Sequence, residues 1–191
     1  MRRSWVLALL GVAVLMVAAD ARGSRQDTGH QMLERWRSYY DPLLIFKAEE
    51  KGIFSREEFP VLREVNPYYL RGDFNGDEQL DVAFWVRSKD DGTPGIAIIH
   101  STLDTVYVFG AGQARPTGGS DSYKRVSCDT WHLLSQGTVE PSPYGDLPDI
   151  GLTEGEPFTF ERETLEFVNF GKSAFVFYWA NGKYWEFWTA D

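Results

Sequence analysis

A single cysteine, Cys128, stands in a chain of 191 residues. No disulfide can form within the chain, so the fold must rest on its apolar core. Cys128 reads as a small buried hydrophobe. His30, His100 and His132 are scattered, with no metal-ligand spacing. Cations are scarce too: 19 Lys and Arg face 28 Asp and Glu, a formal net charge of -9. Phosphate contacts need clustered Lys and Arg, and no basic run follows the first few residues, which argues against nucleic-acid binding. G-x-S-x-G, H-E-x-x-H, the P-loop and the dinucleotide fingerprint are all missing. Past the N-terminal stretch, no apolar run is long enough to span a bilayer.

The N-terminus reads as a secretory signal over residues 1–21. Arg2 and Arg3 precede a short apolar run, and Ala19-Asp20-Ala21 is an A-x-A-like cleavage site. A flexible leader is expected at 22–27 and one globular domain at 28–191. That domain opens with a helical segment at 28–59. Met32, Leu33, Trp36 and Tyr39 fall at helical spacing. Asp41-Pro42 reads as the N-cap and first residue of a second helix, closed by Gly52. Ser55 and Glu58 have capping-box spacing, and Pro60 stops any further turn.

From residue 65 the periodicity turns to strand. Runs at 68–73, 81–88, 96–101 and 105–109 are expected to form an antiparallel meander. A strand is expected at 123–134 and a long irregular excursion at 136–157, rich in Gly and Pro. The C-terminus predicts a hairpin around Asn181-Gly182, a pair suited to a type I′ turn. That turn sets Trp179 opposite Tyr184, Tyr178 opposite Trp185 and Phe175 opposite Trp188. The fold class expected is α+β, mainly antiparallel β. Short N-terminal helices pack on a small sheet domain that is not a full propeller.

The chemically purposeful stretch is Asp73-Phe-Asn-Gly-Asp-Glu-Gln-Leu-Asp81. Asp73, Asn75, Asp77 and Asp81 offer side-chain oxygens at alternate positions, and Gln79 fills the gap with its backbone carbonyl. Alternate oxygens of a tight loop suit a hard cation such as Ca²⁺, which takes six to eight oxygen ligands. Gly76 permits the curl. The alternative is an ion-free Asp/Asn/Gly turn whose side chains bond their own backbone. The preceding Arg71-Gly72-Asp73 spells an adhesion tripeptide by coincidence.

Gly72, Asp73, Phe74, Asn75, Gly76, Asp77, Leu80 and Asp81 resemble the FG-GAP/VCBS repeat, the calcium loop of integrin-like propeller blades, of form D-x-N-G-D-G-x-x-D. Glu78 departs from it, standing where the family has a second glycine. The resemblance covers only about residues 69–86 and implies a calcium loop without a propeller, since no second copy is present. The functional expectation is an exported, periplasmic or secreted protein with one structural Ca²⁺. Other readings are a protein- or glycan-binding module using Trp179, Tyr184, Trp185 and Trp188, or an unrecognised hydrolase.

Overall fold

The structure is a computed structural model and describes residues 42–116, 124–140, 143 and 150–190. The expected signal, leader and first helix lie outside these residues, as does the Asp41 cap.

Helix α1 (Leu43–Glu50) buries Ile45, Phe46 and Ala48. It ends as its sequence predicts. Gly52 takes φ 71°, its N–H bonds the Glu49 carbonyl, and the Ile53 N–H reaches back to Ala48. This pair of bonds caps the last carbonyls of the helix. The Ser55–Glu58 pair forms, with the Glu58 N–H on Ser55 Oγ at 3.3 Å, but it closes one turn and no helix. Pro60, two residues on, has no N–H to continue one.

The first sheet is the expected meander in the order β1-β2-β3-β4. Its strands are Tyr69–Gly72, Asp81–Arg87, Pro94–Ile99 and Val106–Gly110. The second sheet joins β5 (Thr130–Leu134), β8 (Thr164–Asn169), β9 (Ser173–Ala180) and β10 (Lys183–Ala190) in the order β10-β9-β8-β5. Between them in sequence, β6 (Val139–Glu140) pairs with β7 (Phe158–Thr159) as a short ribbon. The stretch expected to be irregular from 136 is therefore pinned at both ends. The strand expected at 123–134 begins only at Thr130.

The layers follow from side-chain alternation. Ala83, Trp85, Ile96 and Ile98 face the second sheet and meet Leu165, Phe167, Phe175, Phe177 and Tyr184. Their neighbours Val82, Phe84, Val86, Ala97 and Ile99 face the other way and pack on Ile45, Ala48 and Phe54. Both faces of β2 and β3 are thus covered, which is why they read as continuous apolar runs. On the far side of the second sheet, Val176, Tyr178 and Phe187 are closed over by Phe160. The molecule is a helix layer on a sandwich of two antiparallel sheets, mainly β as the strand periodicity from residue 65 implied.

The C-terminal hairpin has the expected register, with Trp179 opposite Tyr184, Tyr178 opposite Trp185 and Phe175 opposite Trp188. Asn181 and Gly182 take φ 54° and 75°, the two positive values that a type I′ turn requires.

Candidate functional site

The 73–81 loop connects β1 to β2. Each of its four predicted side chains accepts a backbone N–H of the loop. Asp73 Oδ1 takes the N–H groups of Gly76 at 2.7 Å and Asp77 at 3.0 Å. Asp73 Oδ2 takes that of Glu78 at 2.9 Å. Asn75 Oδ1 accepts from the Asp77 N–H at 3.1 Å, and Asp77 Oδ1 from the Gln79 N–H at 2.9 Å. Asp81 Oδ2 accepts from the Phe74 N–H at 3.1 Å. These bonds build the curl. They are also those expected of an ion-free turn. Among the described residues, no three His, Cys, Asp or Glu side chains are grouped so as to hold a metal ion. The donor chemistry is nevertheless that of a hard-cation loop, all oxygen and mostly carboxylate. Gly72 is buried and Asp73 is tied into the curl, so the adhesion tripeptide is part of the scaffold.

Asp81 is fully buried, and burial pushes its carboxyl up to about 6, with nearby Asp77 adding to the rise and N–H bonds from Ser101 and Phe74 opposing it. No Lys or Arg pairs with it among the described residues. An ionised carboxylate in that position is under-compensated.

Gly76 and Glu78 take φ 81° and 64°. Glu78 is therefore left-handed where the resembled family has its second glycine. We predict that Glu78→Gly raises stability by about 0.5–1 kcal/mol. Relief of the left-handed strain gives roughly 1–2 kcal/mol, and the freer unfolded chain takes back roughly 0.4–1. Urea unfolding measures it, and a lowered midpoint contradicts it.

Three distant residues complete the loop, and none carries a local sequence signal. Ser101, just past β3, donates its N–H to Asp81 Oδ1 at 2.8 Å and its hydroxyl to Asp77 Oδ2 at 3.3 Å. Arg162 Nη1 donates to the Asn75 carbonyl at 2.8 Å. Glu163 Oε2 accepts the Asp73 N–H at 2.7 Å. The loop thus ties together more than β1 and β2. It joins the end of β3 and the segment entering β8, so it bridges both sheets. Beside it, a cleft of about 510 Å³ is lined by Asp73, Glu78, Glu161, Arg162 and Glu163.

The other candidates have structural partners. His100 is buried and shares a 2.8 Å hydrogen bond with Tyr184 Oη. Burial holds its imidazole below the usual range, against the pull of Asp77 and Asp73. His132 Nε2 lies 2.9 Å from Glu166. Burial pushes the Cys128 thiol up to about 12, which leaves almost no thiolate at neutral pH. Trp179 packs edge-on against His100, Tyr107 and Tyr184. Trp185 lies on the opposite face of its strand, with its N–H on the Ala180 carbonyl and Lys183 over its ring.

No protein-family model, curated protein or solved structure matches the chain. No described helix is long and apolar enough to cross a membrane.

Proposed function

We propose that this is an exported, periplasmic or secreted protein whose 73–81 loop binds one Ca²⁺ in a structural role. The ligands would be the side chains of Asp73, Asn75, Asp77 and Asp81 and the Gln79 carbonyl. The observation that carries the reading is Asp81. It is a fully buried carboxyl with no cationic partner among the described residues and with Asp77 beside it. A divalent cation supplies the missing charge. The N–H bonds to Asp73, Asn75 and Asp77 orient their carbonyl and carboxylate groups. Each carboxylate has about four lone-pair sites, more than these bonds use. Export rests on the signal-like residues 1–21, and the resemblance to the FG-GAP/VCBS loop points the same way.

The ion would strengthen the bridge between the sheets that Ser101, Arg162 and Glu163 already form. With three carboxylates and one amide, the expected dissociation constant is about 10⁻⁴–10⁻³ M, as in extracellular modules. Calcium at a hundredfold excess over that constant adds about 2.7 kcal/mol to stability. Calorimetric titration is the test, with Asp77→Ala as control. Saturable heat in the wild type and none in the variant is the expected result. Equal heats from both, or none from either, removes the proposal.

A further inference from the structure

A second cavity, of about 460 Å³, opens where the chain leaves β4 and crosses to β5. It is built around a buried ion pair. Arg115 Nε donates to Glu186 Oε2 at 2.7 Å, and Arg115 Nη2 lies 2.7 Å from Oε1. The two side chains are only 10% and 3% exposed. The guanidinium also lies 4.5 Å from the centre of the Phe175 ring. Carboxylate and aromatic face together fix its plane. Glu186 is its one hydrogen-bonding partner among the described residues, and Nη2, though close to Oε1, makes no hydrogen bond in line with it. Nη2 is itself buried against Glu186, so the part of the planar fork left for the cavity is Nη1, which has no hydrogen-bonding partner among the described residues.

The rest of the lining is chemically specific. Arg125 is exposed and has no counter-charge among the described residues. Glu186 already neutralises Arg115, so Arg125 is the surplus positive charge, in a chain whose net charge is -9. Trp188 brings a ring that stands edge-on to Phe175 at 5.5 Å. Ser127 offers a hydroxyl and Asn169 an amide oxygen. Burial holds the Glu186 carboxyl up near 7 in spite of Arg115. A perturbed buried acid bordering a cavity is a common mark of a binding site.

We propose that this cavity binds a small organic anion whose carboxylate is carried on a six-membered ring, the pyranose of a uronic acid or the arene of an aromatic acid. The carboxylate lies between the guanidinium groups of Arg125 and Arg115, whose fork geometry matches it. The ring lies against the half-buried indole of Trp188, whose apolar surface suits it. Ser127 and Asn169 meet any hydroxyl groups. The volume is within the range of small-molecule sites. The site is independent of the acidic loop and of whether that loop holds an ion.

The test is a titration of the ¹⁵N-labelled protein, following the Trp188 indole N–H, with glucuronate, benzoate, glucose and acetate. Saturable shifts with glucuronate or benzoate are expected, with acetate and glucose at least about tenfold weaker. Arg125→Glu, at an exposed position, should weaken the better ring acid by about tenfold or more with the melting temperature unchanged. Trp188→Leu should remove the preference for ring acids over acetate. Glucuronate ahead of benzoate assigns the site to sugar acids, and the reverse order to aromatic acids. The proposal is overturned if neither ring acid saturates, if acetate binds as well as they do, or if Arg125→Glu binds like the wild type.

Discussion

Arg115→Ala should lower the unfolding free energy by about 3–5 kcal/mol near pH 8, because it leaves the Glu186 charge buried without a partner. Glu186 is 2% exposed, and the guanidinium is its sole ion-pair partner among the described residues. The loss should be smaller at pH 5. The Glu186 carboxyl is held up at about 7 from an ordinary 4.5, chiefly by burial, with Arg115 pulling the other way. A folded-state value above the unfolded one means that the folded chain binds the extra proton. The stability this group contributes is full below about 4.5 and is lost as pH rises through about 7. Removing Arg115 removes the opposing pull, so the variant should favour acid more strongly than the wild type. The double variant Arg115→Met with Glu186→Leu should recover most of the loss, since apolar replacements of a buried pair are often neutral or better. Urea unfolding at the two pH values measures all three chains. A single variant as stable as wild type at pH 8 would show that the pair carries no such weight.

Gly95→Ala should cost about 3 kcal/mol, at the upper end of overpacking in a core. Gly95 pairs with Gly110 across β3 and β4. A Cβ there would lie 2.5 Å from the Phe109 carbonyl oxygen, and closer still to the Ala111 nitrogen. These are backbone atoms with no rotamer to yield. The Pro94 carbonyl also accepts N–H groups from Ala111 and Val126 at this point. Displacing the strand would therefore loosen the crossing segment as well. A melting temperature within a degree or two of the wild type would mean that the strands have room to part.

What the sequence disclosed was local. The helix stop at Gly52, the curl at Gly76 and the turn at Asn181-Gly182 each depend on one or two residues whose backbone preference settles the geometry. The hairpin register followed because a two-residue turn leaves no freedom of pairing. The strand Thr164–Asn169 was legible in principle. Leu165 and Phe167 alternate with Thr164 and Glu166 and point into the core. Its charged Glu166 and the short run beside a Gly-rich stretch hid it. The attachment of β5 to β8 had no signature, because nothing in Trp131 specifies that Phe167 lies opposite. The candidate loop was visible as a string of oxygens, but Ser101, Arg162 and Glu163 were not. Their contacts depend on how two sheets are stacked. The Arg115–Glu186 pair was equally hidden, since the two residues lie 71 positions apart.

The two sheets differ in what each needs from the ribosome. All strands of the first are neighbours in sequence, from Tyr69–Gly72 to Val106–Gly110, so it has all its partners once residue 110 has emerged. Strand β5 does not. Its partner, Thr164–Asn169, is made later, and until then Thr130–Leu134 is an open edge carrying Trp131 and Leu133. A nascent chain halted between the two should bind holding chaperones through that edge, whereas one that includes β8, β9 and β10 should release them.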